Sequence, residues 1–198
     1  MTWVTAALCG SLAIAAVSTL GDFVWATWIP RHRPIYGMTH GTLLFLTAGL
    51  YLGMLARRPA AGAIFGALVG FLAAGSFYLL APLAGYSIMF VVWIGAWLGL
   101  SVLHARLQGT ADGIRAVLGR GAIASIACGA AFYTVSGIWF PFRPTGWDYV
   151  WHFGAWTLAY LPGFAVLFIA IGGSGSFRPA SPAGAFGAGG NDAGGARP

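Results

Sequence analysis

His40 and His152 are the residues of this chain best suited to do chemistry, because each stands within an apolar run. An imidazole can hydrogen-bond a ligand, exchange a proton or hold a metal. An ionisable group in such a run is costly to bury and usually faces the interior of a helix bundle. By helical spacing His40, Leu44, Thr47 and Tyr51 share one face, and His152, Trp156 and Tyr160 share another. Tyr133 and Ser136 are expected near the same depth. Together these side chains outline a semi-polar pocket that opens at one membrane surface. The alternative is an interhelical hydrogen bond with no ligand.

Charged residues cluster toward the same surface: Asp22, Arg31-His32-Arg33, Arg143 and Asp148. Paired guanidinium groups grip phosphate or carboxylate through charge-assisted hydrogen bonds. The competing reading has Arg31 and Arg33 reaching to lipid headgroups, with Asp22 and Asp148 as local partners. Two histidines at one depth could also ligate a b-type haem, but no other feature supports one. No metal and no cofactor is expected. His104, at the opposite end of its helix, reads as an interface marker. Cys9 and Cys128 lie in apolar runs without ligand spacing and read as small buried hydrophobes.

Several chemistries are excluded or disfavoured. The chain has no Lys and therefore no Schiff-base residue. It has no His-Glu-x-x-His, no nucleophile elbow and no phosphate-cradling glycine loop. Its four aspartates are dispersed, and Asp22 is read as the end of the first helix. No carboxylate is then left inside the membrane, which argues against ion-driven transport. The reading favours a non-enzymatic role over catalysis.

The elements that position these residues follow from composition. Of 198 residues, 59% are hydrophobic and 7% charged. A soluble domain carries about a quarter charged residues, so the outer face of this one must meet lipid. The net charge of +6 comes from arginines set between apolar runs, with no basic stripe for nucleic acid. A membrane-crossing helix needs about 20 apolar residues. Spans are expected at Met1–Gly21, Pro34–Ala56, Gly121–Trp139 and Val150–Ile171. The uncharged run from Pro59 to Leu103 is long enough for two, with a turn at Ala81–Gly85. The fold class is thus all-α, an integral membrane bundle of six transmembrane helices over residues 1–173. Residues 174–198, rich in Gly, Ala and Pro, are expected to form a disordered tail.

Arg57, Arg58, Arg106, Arg115, Arg120, Arg178 and Arg197 fall on one side, against Arg31, Arg33 and Arg143 on the other. The richer side should be cytoplasmic, so both termini should face the cytoplasm across the cytoplasmic (inner) membrane. The N-terminus lacks the charged start of a signal peptide and reads as an uncleaved first helix. Trp25, Trp28, Tyr36, Tyr86, Trp139, Trp147, Tyr149 and Trp151 form an aromatic belt on the outer side. Gly62, Gly66 and Gly70 make a small-xxx-small ladder for close helix packing, within the chain or between copies in a homo-oligomer. A faint repeat relates Phe77-Tyr78 and Val92–Trp97 to Phe132-Tyr133 and Val150–Trp156.

The stretch Tyr133–Gly137, the loop Pro141-Phe142-Arg143-Pro144-Thr145-Gly146-Trp147-Asp148-Tyr149 and the final helix through Pro162-Gly163 resemble the Insig family in pattern and spacing. About half the chain takes part. The resemblance implies a membrane cavity for a sterol-like or acylglycerol-like lipid, no catalysis and self-association. The Arg-His-Arg loop and the Gly-rich tail depart from the family. The expected function is binding of an amphipathic membrane lipid. Its body would lie among Trp93, Trp97, Tyr133, Trp156 and Tyr160, and its headgroup near Arg31, Arg33, His40, Arg143, Asp148 or His152. The alternatives are an enzyme or transporter for a hydrophobic substrate using His40 and His152, and a structural assembly subunit.

Overall fold

A computed structural model describes residues 1–29, 33–139 and 144–172. Six helices follow one another: α1 Trp3–Trp28, α2 Arg33–Leu55, α3 Pro59–Ala84, α4 Ile88–Gln108, α5 Ile114–Trp139 and α6 Asp148–Gly172. Each is long and apolar enough to cross a membrane. The described residues contain no strand. The protein is an all-α, six-helix membrane bundle, the arrangement that satisfies every backbone group within its own segment. The proposed tail lies outside the described residues.

Each helix packs on the next in sequence, and α6 returns to α1, so the six close into a ring. Neighbours run antiparallel. The Tyr51 hydroxyl, near the end of α2, donates to the Ala6 carbonyl near the start of α1 at 2.6 Å. Ser101 of α4 donates to the Val117 carbonyl of α5 at 2.7 Å. The tightest seam is α2 on α3, and the loosest within the ring is α1 on α2. The latter difference shapes the site described below.

Glycines make the α2–α3 seam. Gly41, Gly49 and Gly53 of α2 face Gly62, Gly66 and Gly70 of α3. A methyl group added at Gly66 would strike the Phe45 carbonyl and the Gly49 backbone. One added at Gly62 would strike Gly49 and Gly53. Bare backbone meets bare backbone, which dispersion rewards only at close approach. The face that the ladder offers for packing is therefore filled by α2 of the same chain. The opposite face of α3 carries exposed Ile64, Phe65, Leu68, Phe71 and Leu72, an apolar coat suited to lipid.

Helix ends differ from expectation in informative ways. α1 does not stop at Gly21 but continues to Trp28, because Phe23–Trp28 is itself apolar. Asp22 therefore lies inside the helix, about 9 Å of helical rise from its end. α3 runs through Pro82 to Ala84, and the turn falls at Gly85–Ser87. A proline near a helix's C-terminus costs a single backbone bond, whereas Gly85 adopts φ 66°, where glycine is favoured. α5 begins at Ile114, well before Gly121, and includes Arg115 and Arg120 in its first two turns. An ion pair between Arg120 and Asp112 holds that start.

Candidate functional site

Asp22 is the centre of the polar cluster. The indole Nε1 of Trp156 donates to Asp22 Oδ2 at 2.8 Å. The imidazole Nδ1 of His152 lies 2.9 Å from the same oxygen. A carboxylate oxygen accepts, so in this contact Nδ1–H of His152 is the donor. His152 and Trp156 are four residues apart, so one face of α6 presents both donors to one acid of α1. His152 is buried. Hydrogen bonds to a charged acceptor are stronger than neutral ones, and here they tie the first helix to the last. The expectation that no carboxylate stands inside the bundle is thus overturned by the length of α1.

His40 approaches from the other flank. Its ring lies against Gly21, where an added methyl group would strike the ring and the Tyr36 hydroxyl, and stacks on Tyr36 with centroids 5.6 Å apart. Gly21 is what lets α2 bring an imidazole beside Asp22. The Tyr36 hydroxyl is enclosed and has no hydrogen-bond partner among the described residues.

Beneath this cluster lies a cavity of about 400 Å³, in the range of small-molecule sites, to which all six helices contribute. Asp22, Tyr36 and His40 stand at its polar end, with Trp25 beside them. Leu44, Phe45, Ala73, Phe77, Met89 and Val92 form apolar walls. The side opposite α2 is aromatic. Trp156 stacks on Phe132 at 5.3 Å, and Trp93 tilts against Phe132 at 4.9 Å and Tyr160 at 5.5 Å. A second hollow, about 690 Å³, opens between α1 and α2 and is lined by Val17, Leu20, Val24, Trp28, Ile35 and Leu43. Tyr36 and His40 line both spaces, so the stacked pair is the partition between them.

Of the residues singled out in sequence, His40, His152, Trp156, Trp93 and Tyr160 meet around this cavity or its acid. Others do not. Tyr133 packs edge-on against Phe132 and tilts on Phe90, and its neighbour Phe132 is the residue that reaches the cavity. Asp148 is spent locally. Its Oδ2 accepts from the Thr145 backbone N–H at 2.9 Å and the Thr145 hydroxyl at 3.3 Å, in the manner of a capping box at the start of α6. Trp97 is fully buried against Gly163 and Phe164 and supports the core. Gly62 and Gly66 build the scaffold, and Gly70 also touches the cavity wall. Arg31 and Arg143 lie outside the described residues, as does the side chain of Arg33.

His104 is buried and edge-on to Phe168 at 5.3 Å, so it belongs to the core instead of marking the interface. Cys128 is buried, whereas Cys9 is exposed on α1. Within the expected belt, Trp28, Trp147 and Trp151 are exposed, but Trp25 and Tyr36 turn inward to the cavity. The faint repeat breaks at its tryptophans, since Trp93 is buried and Trp151 exposed. One extra residue in α6 puts His152 on the inward face that Trp93 takes in α4.

The signal for Asp22 was present in sequence. Two side chains with N–H donors four residues apart on an apolar helix require an acceptor, and α1 has one acid. Among the described residues, no three His, Cys, Asp or Glu side chains gather as a metal would require. In comparison with known proteins, the chain matches no family model, no curated protein and no solved structure.

Proposed function

We propose that this protein binds an amphipathic small molecule inside the membrane, in the cavity at the middle of the helix ring. The observation that carries the reading is that cavity: about 400 Å³, apolar and aromatic along its length, and polar only at the Asp22 end. A molecule with an apolar body and one polar group matches such a wall. The loose α1–α2 seam supports the reading, because its hollow meets the cavity at the Tyr36–His40 pair, whose side chains would have to swing aside for a bilayer-dissolved ligand to enter sideways. The Insig-like pattern agrees with lipid binding without catalysis. The same reading sets the bundle in the cytoplasmic (inner) membrane with both termini in the cytoplasm, as the arginine asymmetry indicates. Self-association would have to use surfaces other than the Gly62–Gly70 face, which α2 occupies.

Native mass spectrometry of the detergent-purified protein tests the proposal. The expected result is a retained small lipophile. Ala73→Phe, which puts a ring into the cavity, should lose it while melting as the wild type does. A wild type that retains nothing, and binds nothing from added membrane extract, rules the proposal out.

A second reading is favoured by the Asp22–His152 hydrogen bond at 2.9 Å. A carboxylate–imidazole pair beside a membrane cavity can exchange a proton as a bound ligand leaves. The protein would then be a proton-linked transporter of that ligand. Uptake into proteoliposomes under an imposed pH gradient, abolished in His152→Asn, is expected on this reading. Uptake indifferent to the gradient removes it.

A further inference from the structure

We infer that the cavity's ligand is a lipophilic amine, an apolar body bearing one ammonium group that docks at Asp22. The inference rests on the cavity reading above and adds the chemistry of the ligand's polar end.

Both hydrogen bonds made to Asp22 land on Oδ2. Its other oxygen, Oδ1, receives none among the described residues, although Asp22 lines the cavity. A half-buried carboxylate facing a largely apolar cavity gains from a donor, and a cation answers that need best. The side chains around it are suited to the same group. Trp25, Tyr36, Phe77, Tyr78, Trp93 and Trp156 all line the cavity. Aromatic faces carry negative charge density and attract ammonium groups, which is how aromatic cages select them. The enclosed Tyr36 oxygen is a further acceptor for an ammonium proton.

The alternatives fit less well. An anionic headgroup would bring like charge to Asp22 and has no proton to donate. A neutral alcohol offers one donor and gains little from the aromatic faces. A hydrocarbon would offer no donor to Asp22 Oδ1 and would leave the enclosed Tyr36 hydroxyl unpaired. The expected grip by Arg31, Arg33 and Arg143 would favour an anion, so the two pictures predict opposite selectivities.

Three probes of one chain length separate them: dodecylamine, dodecanol and dodecanoate. Each is titrated into the purified full-length protein in neutral detergent, with tryptophan fluorescence and calorimetry as readouts. Dodecylamine should bind roughly tenfold or more tighter than dodecanol, and dodecanoate should bind weakest. In Asp22→Asn the amine and the alcohol should bind within about twofold of each other, with dodecanol affinity kept. The wild-type ranking stands as a test by itself if that variant does not fold. Dodecanoate binding as tightly as dodecylamine, or an amine preference that survives in a folded Asp22→Asn protein, overturns the inference and leaves the cavity reading standing. If none of the three binds, both fall together.

Discussion

At the scale of single residues, Asp22 decides between a structural and a functional account of the polar cluster, and it serves both. Its Oδ2 holds two donors from α6, so Asp22→Ala leaves the His152 and Trp156 N–H groups without their acceptor. The expected cost is roughly 1–3 kcal/mol. Asp22→Asn keeps an acceptor oxygen and should lose less. Thermal unfolding in detergent, followed by near-ultraviolet circular dichroism, checks the order wild type, Asn, Ala. Equal melting temperatures for all three would show that these bonds add nothing to stability. Asp148 gives the contrast. Its contacts are confined to the Thr145 cap, so Asp148→Ala should cost about 0.5–2 kcal/mol. It should leave ligand binding unchanged, as a titration with dodecylamine would reveal. The two aspartates look alike in sequence, and the helix each belongs to separates their roles.

At the scale of helices, the glycine ladder makes the sharpest prediction. Gly66→Leu forces a side chain into the Phe45 carbonyl and the Gly49 backbone. Nothing there is a flexible side-chain end that can swing away, so α2 and α3 must separate. The expected loss is roughly 3 kcal/mol or more, read as aggregation on size exclusion or a collapse of the melting transition. Gly95→Leu, where open space surrounds the added carbon, should stay within about 0.5 kcal/mol of wild type. Gly109 closes α4 in the left-handed region at φ 62° with its N–H on the Ala105 carbonyl. Gly109→Ala should cost about 1 kcal/mol by the same melt, since a methyl group is strained there. The existence of all six helices was legible in sequence, because apolar length alone decides it. Their ends were not, and the function hung on one of them. A charge at Asp22 marks a stop in the sequence, whereas this half-buried acid, with two donors from α6 on its carboxylate, stands within a helix that runs on to Trp28. The pocket's histidines were legible as costly residues in apolar runs. Periodicity points to Tyr133, whereas its neighbour Phe132 is the residue that lines the cavity, because periodicity alone does not fix the rotation of a helix that is apolar on most sides.

At the scale of the whole molecule, the ring sets what the protein can present to each side of a membrane. Six antiparallel crossings bring the start of α1 and the end of α6 to one surface. The Arg57-Arg58 turn and the Arg106–Arg120 region lie at that same surface, while Asp22, His40 and His152 lie toward the other. Arginine resists translocation, so the arginine-rich ends should remain in the cytoplasm. The polar mouth of the cavity and its α1–α2 hollow then belong to the outer leaflet, and a ligand arriving from outside meets them first. Substituted-cysteine labelling tests the orientation in a chain carrying Cys9→Ala and Cys128→Ala. Trp147 is 83% exposed in the turn before α6, and Thr110 is exposed between α4 and α5. A membrane-impermeant maleimide should label Trp147→Cys in intact cells and Thr110→Cys only after permeabilisation. The reverse pattern would turn the cavity mouth toward the cytoplasm. The amine would then be drawn from the inner leaflet, where anionic lipids already concentrate cations, and the selectivity at Asp22 would act on a pre-enriched pool.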